Sequence, residues 1–522
     1  MTLLSRLRAH ARQQPAACAL HWPGGAMDFA ALAAQIEATM SWLRDTAVEV
    51  LAVSLENGPA WVVLDIAAME LGICLVPLPA FFSAGQLRHA VRMSGATALL
   101  TDQPTLIREQ LADLLGADVP HLLFEKQTLS WMTVISHRQR RGVPLPAGTT
   151  KVTFTSGTTG APKGVVLGWD HMRPVVESLV EAVEIGANDR HLVLMPLPVL
   201  LENIAGVYAP LWAGATVMLR PLQQVGLCGS SALDGRTMAM ALADAAASTA
   251  IFTPQTLQGV VEAMEHDSGI RLALRFAAVG GAPVSPRLLQ RAGALGLPVF
   301  EGYGLSECAS VVCLNTPTHH RAGSVGRPLP HVRLGLAADG EVVVQGAAFG
   351  GYLGESEAPP ASWPTGDIGE IDPAGFLHLK GRRRNVFITA FGRNVAPEWV
   401  ERELTLEPAI AQAAVFGEAR PYNVAVIVPD GGATPADIES ALARTNRALP
   451  DYARVVRWVF ADAPFSPHNG LLTGTGRIRR ASAGKQHMMR GKSANRLRRL
   501  KKNAMVDPAD APSIARLIPY KF

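Results

Sequence analysis

The sequence predicts an α/β protein: a large, multilayered unit of sheets and helices, then a small α+β unit. Three observations carry that prediction. Short apolar runs such as Val50-Leu51-Ala52-Val53, Ile73 to Pro77 and Thr249 to Thr253 recur with helix-compatible segments between them. That is the pattern of buried strands in parallel layers. The chain has 522 residues, 48% hydrophobic and 18% charged, which is enough for two or more domains with ample cores. Beyond about residue 380 a shorter series, Ala413 to Phe416, Val424 to Val428 and Val455 to Phe460 with a helix from Thr434-Pro435, reads as the small unit. The expected bounds are 1–380, 381–486 and a basic tail at 487–522.

Composition narrows the function classes. The most apolar stretch, Val62 to Ala80, is interrupted by Asp65 and Glu70, so no transmembrane helix is expected. Met1 to His10 carries arginines without a following apolar run, so no secretory leader is expected. Five scattered cysteines (Cys18, Cys74, Cys228, Cys308, Cys313) show no metal-binding spacing and suit free thiols in a reducing cytoplasm. The net charge of +4 is uneven: Leu471 to Lys502 holds eleven Lys and Arg and no acid. The remainder has 37 basic against 44 acidic residues, so the body does not read as a nucleic-acid binder. The tail itself reads as a solvated, partly disordered arm, with an acidic partner or membrane headgroups as alternatives.

In chain order, Asp28 is placed to cap a helix containing Phe29, Leu32 and Ile36. Val50 to Val53 reads as a strand, Asn57-Gly58-Pro59 as a break, Trp61 to Leu71 as a helix, and Ile73 to Pro77 as the next strand. The stretch from Thr153 to Val165, Thr-Phe-Thr-Ser-Gly-Thr-Thr-Gly-Ala-Pro-Lys-Gly-Val, is of another kind. Hydroxyls and glycines offer little to a core, because they compete with the backbone for hydrogen bonds or cost entropy to order. They do supply donors. Gly157 and Gly160 let N–H groups converge, Thr155, Ser156, Thr158 and Thr159 add hydroxyls, and Lys163 adds a cation, so a polyphosphate is the natural guest. No Ser or Thr follows the lysine, which sets this loop apart from the common NTPase loop.

Further strands are expected at His191 to Met195, Ala215 to Leu219, Phe276 to Val279 and Glu341 to Val344. Between and after them stand Pro196 to Asn203, Val279-Gly-Gly-Ala-Pro283, Glu301-Gly-Tyr-Gly-Leu-Ser-Glu307, Gly350-Gly-Tyr352, Thr365-Gly-Asp367, Lys380-Gly-Arg-Arg-Arg-Asn385, Gly392 to Glu398 and Leu472-Thr-Gly-Thr-Gly-Arg-Ile478. Over residues 5–485 this ordered set resembles the adenylate-forming superfamily of AMP-dependent synthetases and ligases, most of all long-chain acyl-CoA synthetases. The resemblance implies an acyl-CoA synthetase-like large domain and a mobile small lid domain. It implies ATP, Mg²⁺ and CoA as cofactors and acceptor.

The resemblance also assigns roles. Thr155, Ser156, Gly157, Thr158, Thr159, Gly160 and Lys163 would hold ATP phosphates, and Gly281, Ala282 and Pro283 would lie along the adenine. Tyr303 would stack on adenine, Ser306 would sit at the α-phosphate, and Glu307 would hold Mg²⁺, which suits an ion bound by one or two carboxylates, waters and phosphates. Asp367 would take the ribose hydroxyls and Arg382 the ribose and phosphate. Arg384 would be the hinge, with Gly392 and Arg393 lining the pantetheine tunnel. Val199, Leu200 and Leu201 would border an apolar acyl pocket, where relatives place a histidine at the Val199 position.

One position departs from the family. Arg477 stands where the family has the lysine of adenylation, and the two cations differ in shape and charge delivery. Lys485, in Ser482-Ala-Gly-Lys485, offers a lysine in a similar frame. The expected activity is conversion of a medium- or long-chain fatty acid to acyl-AMP with release of pyrophosphate, then transfer to CoA. Catalytic duty would fall on Lys163, Ser306, Glu307 and Arg477. Loading of an acyl carrier protein and a non-catalytic acyl or nucleotide binder are the alternatives.

Overall fold

The computed structural model describes residues 1–489 except 125–126, 135–143, 156–161, 229–231, 347–348, 356, 467–468 and 473–476. Contacts divide the chain into two units, residues 1–386 with 466–479, and residues 387–465 with everything after 479. The expected bounds put residues 466–479 with the small unit; here their contacts are with the large one.

The large unit contains three main sheets. A nine-stranded sheet has a parallel centre, with Val299–Tyr303, Phe276–Val279, Thr249–Phe252, Arg190–Leu192, Thr216–Met218 and Cys18–Trp22 side by side. A seven-stranded sheet places Cys74–Pro77 between Val50–Ser54 and Lys151–Thr155, and ends on Lys163–Leu167. A four-stranded antiparallel sheet runs from Arg333–Leu336 to Leu377–Arg382. The parallel centres follow from the near-continuous apolar strands, which must be covered on both faces.

Helix Pro59–Leu71 shows how local sequence sets an element. Proline occupies its first turn, Gly72 closes it at φ 72°, and every residue from Pro59 to Met69 is buried. An α-helix that is apolar all round belongs in a core, and this one lies in the main hydrophobic cluster with Phe29, Leu32 and Ile36. Asp28 caps the helix Phe29–Asp45 as expected, accepting from the Ala31 N–H at 2.7 Å. Each large side chain so buried contributes about 1.5–3 kcal/mol.

The expected strand from His191 to Met195 is shorter, Arg190–Leu192. Val193 still donates to the Met218 carbonyl, but the Met195 N–H turns to a Glu202 carboxylate oxygen at 3.2 Å. The antiparallel pair Leu115–Phe124 and Gln127–Val134 was not anticipated from the sequence.

In the small unit, Asn423–Pro429 runs parallel to Val455–Phe460 and antiparallel to Ile410–Phe416. Helices Pro397–Leu404 and Pro435–Ala448 contribute Val400, Leu404, Ile438 and Ala441 to its core. Pro397 opens the first of these, and Thr434 with Asp437 forms a capping box on the second. Arg480 ties the unit's last described segment to Glu401, whose own pKa burial raises against the pull of that arginine.

Candidate active site

The glycine- and hydroxyl-rich stretch is flanked by two paired strands. Lys151–Thr155 and Lys163–Leu167 pair antiparallel, Thr155 opposite Lys163, and His89 Nε2 lies 2.9 Å from the Pro162 carbonyl. Ser156, Gly157, Thr158, Thr159 and Gly160 lie outside the described residues. Lys163 is half-exposed; its ammonium is 3.0 Å from a Glu355 carboxylate and 4.2 Å from the centroid of the Tyr352 ring. The Tyr352 hydroxyl in turn donates to Glu307 Oε1 at 2.7 Å. Burial and the Glu307 carboxylate push the Tyr352 pKa far up, so this phenol stays a donor.

Glu307 lies in a tight segment. After Ser306–Cys308 the backbone enters the left-handed region at two non-glycine residues, Ala309 (φ 49°) and Ser310 (φ 94°). Such conformations cost energy and are kept where surrounding structure over-determines them. Gly304 is required here, since a Cβ at that position would stand 1.5 Å from the Ser310 carbonyl oxygen.

Four residues before Glu307, Tyr303 closes the strand Val299–Tyr303 and is 9% exposed. Its hydroxyl donates to Asp367 Oδ2 at 2.7 Å, while Arg382 Nε meets Asp367 Oδ1 at 2.8 Å. Burial and the Asp367 charge raise the Tyr303 pKa. Asp367 and Arg382 face each other across paired strands. Gly281 (φ 81°), Ala282 and Pro283 are exposed just past the strand Phe276–Val279, and the Gly281 carbonyl accepts from Arg477 Nη2 at 2.8 Å. Both strands therefore end at the same edge, where ligands of parallel α/β sheets bind.

The residues expected to border an acyl pocket have mixed positions. Leu200 is buried in the main core, Leu201 packs against that core, and Val199 is half-buried. Their neighbours Glu202 and Asn203 are turned into the interior by a π-helix, Glu202–Tyr208. Glu202 pairs with His191 at 3.0 Å, and burial raises its pKa despite that partner. Asn203 and Tyr208 join the buried pair Lys151–Asp65 (2.9 Å), where burial lowers the lysine's pKa against the pull of Asp65. Sequence reasoning missed this network; Asp65 inside an otherwise apolar helix was its signal.

Arg384 is exposed in the turn after Leu377–Arg382, two residues before the contact boundary at Val386. Gly392 (φ 70°) and Arg393 are exposed in a hairpin of the small unit, beside Phe391 at 74% exposure. Lys485 is exposed in the same unit, whereas Arg477 makes its contacts in the large one.

Among the described residues the structure thus brings Lys163, Tyr352 and Glu307 together, and Tyr303, Asp367 and Arg382 together. The chain belongs to the AMP-binding enzyme family, whose profile matches residues 7–353; that of the AMP-binding enzyme C-terminal domain matches residues 385–489. It is similar to a long-chain-fatty-acid–CoA ligase of Mycobacterium bovis, 27% identical over 510 residues and spanning 80% of this chain and 83% of that protein. It is also similar to an indoleacetate–CoA ligase of Aromatoleum aromaticum, at 26% identity over 83% and 89% of the two chains. An anthranilate CoA ligase solved with anthranoyl-AMP shares the fold, with TM-score 0.75 and 17% identity over 94% of this chain and 98% of that one. So does the o-succinylbenzoate CoA synthetase of Bacillus subtilis, solved with ATP and magnesium, with TM-score 0.71 and 21% identity over 91% and 98%. These relatives support an acyl- or aryl-CoA ligase activity through an adenylate, and ATP, Mg²⁺ and CoA are consistent with them. Residues 471–518 also match the profile of ribosomal protein L35. Among the described residues no helix is long and apolar enough to cross a membrane.

Proposed function

We propose that the chain activates a medium- or long-chain fatty acid as its acyl adenylate and passes the acyl group to CoA. The observation that carries this reading is the grouping of Lys163 and Glu307 around Tyr352 and of Asp367 and Arg382 at Tyr303, four residues before Glu307. A fatty acid carboxylate oxygen attacks the α-phosphorus of ATP and pyrophosphate leaves. The CoA sulfur then attacks the acyl carbon, AMP leaves, and the thiol proton goes to solvent. Lys163 and Arg382 offset phosphate charge, Asp367 orients the ribose, and Arg477 approaches from the Gly281 side. Catalysis of this kind rests on positioning and fixed charge.

Among the described residues no group of three or more His, Cys, Asp or Glu could hold a metal ion. Magnesium needs only one or two carboxylates beside nucleotide phosphates and water, and Glu307, held by the Tyr352 hydroxyl, would be its hard oxygen donor. When bound, the ion would neutralise charge on the phosphates.

An aliphatic acid is favoured because Glu202 and Asn203 are withdrawn into the core beside Leu200, leaving the apolar side chains of Val199 and Leu201 as the partly exposed ones. The aryl-acid relatives favour a second reading. Pyrophosphate release across acids from acetate to palmitate, with indoleacetate included, decides between them. Activity rising with chain length supports the first, and a preference for the aryl acid overturns it. Replacing CoA by a carrier protein tests the acceptor.

For the basic C-terminal stretch, the ribosomal-protein match over residues 471–518 and the eleven Lys and Arg without an acid from Leu471 to Lys502 support RNA phosphate as partner. Salt-dependent binding of ribosomal RNA fragments by the full chain tests this. Equal binding by a variant with Arg496, Arg498 and Arg499 changed to Glu would sink it.

A further inference from the structure

Tyr352 stands between the two charged groups that the proposed reaction needs on the phosphates. Its hydroxyl holds Glu307 Oε1 at 2.7 Å, and its ring lies beneath the Lys163 ammonium at 4.2 Å. The ring cannot easily turn away. Phe349 and Trp363 pack edge-on against it with centroids 5.0 and 5.9 Å off, and its backbone bridges to Val165, two residues past Lys163. A phenol donating to one carboxylate oxygen fixes the plane of the carboxylate and leaves the other oxygen to face a ligand. A cation over an aromatic face is held without being neutralised, so it keeps its charge for phosphate.

We infer that Tyr352 is the positioning residue for both Glu307 and Lys163, setting the carboxylate for a divalent cation and the ammonium for the phosphates that accompany it. This rests on the reading of Glu307 as the metal-holding carboxylate. Glu355, 3.0 Å from Lys163, belongs to the same arrangement: it is the anion that incoming phosphate would displace. Partners that orient a ligating carboxylate are worth roughly 10–100-fold in metal affinity.

The test uses the full chain with a non-hydrolysable ATP analogue, Mn²⁺ as the probe ion, and water-proton relaxation as the readout. Tyr352→Phe removes the hydroxyl and keeps the ring. It should weaken Mn²⁺ binding about tenfold, leave metal-free analogue affinity unchanged, and raise the Mg²⁺ concentration for half-maximal rate without changing the KM of the acid. A merely structural role would not separate those quantities. Tyr352→Leu should in addition weaken the triphosphate analogue relative to AMP, because Lys163 loses its platform. In a Glu307→Gln background, Tyr352→Phe should have no further effect on Mn²⁺. If Glu307→Gln loses Mn²⁺ and Tyr352→Phe binds it like wild type, the inference fails and the reading of Glu307 stands. If Glu307→Gln binds Mn²⁺ normally, both fall.

Discussion

Glu202, Lys151 and His331 are ionisable side chains whose roles are set by burial. Glu202 and Lys151 sit beside segments with motif-like sequence, yet each is spent on an internal partner, His191 for one and Asp65 for the other. Removing one member of such a buried pair costs about 3–5 kcal/mol, since the other charge is left uncompensated. His331 supplies a pH prediction. Burial pushes its pKa down to about 4, with Nδ1 2.9 Å from the Ser178 hydroxyl. The unfolded chain takes up this proton near 6.5 and the folded chain only near 4, so the unfolded state binds more protons in between. Stability therefore falls as pH drops from 6.5 towards 4, by up to about 2–3 kcal/mol from this residue. His331→Gln should flatten that limb. Urea midpoints of the large unit at pH 7 and pH 4.5 check this, and an unchanged pH slope in the variant would refute it.

At the scale of elements, two short segments build the site. The paired strands Lys151–Thr155 and Lys163–Leu167 are both anchored: Val152, Val165 and Val166 are buried, and Lys151 is locked to Asp65. The turn from Tyr303 to Ser310 is held by N–H groups of Ser310 and Val312 bonding to the carbonyls of Leu305 and Tyr303. It can close only because Gly304 lacks a side chain. Gly304→Ala must move the Ser310 backbone and should cost about 3 kcal/mol or more. The loss should appear as a lower melting temperature together with weaker AMP binding, because Tyr303 and Glu307 flank the turn. A variant that melts and binds AMP like wild type would show that the backbone yields cheaply.

At the scale of the whole molecule, Arg477 matters most. It lies among the contacts of the large unit, with a guanidinium nitrogen on the Gly281 carbonyl, while Lys485 lies in the small unit. The contact with Gly281, in the segment expected along the adenine, favours Arg477 for adenylation. Its broad fork spends one arm on a carbonyl and cannot deliver charge as an ammonium would, and small misplacements cost up to roughly 10²-fold. Arg477→Lys should therefore speed acyl-AMP formation and leave transfer from supplied acyl-AMP unchanged. Single-turnover rates of the two half-reactions decide it. Faster adenylation by wild type, with collapse in Lys485→Ala, would move the role to Lys485. The same stretch begins the ribosomal-protein match, so residues 471–489 answer to two family patterns at once.

The sequence by itself determined the α/β class, most strand positions and the order of the motifs by which the chain resembles its family. Those features are local: apolar runs form strands, Asp28 and Thr434 cap, and glycines mark close turns. Val455 to Phe460 and Phe276 to Val279 were legible to the residue for that reason. Tertiary structure alone decided which polar side chains face a ligand and which face each other. Nothing in the run Leu-Leu-Glu-Asn says that Glu202 and Asn203 turn inward, because that depends on a π-helix and on partners 11 to 138 residues away. Tyr352 meets Glu307 across 45 residues, and Arg477 meets Gly281 across 196. Periodicity carries no information about such pairings, since they are fixed by packing of the layers rather than by any neighbour along the chain.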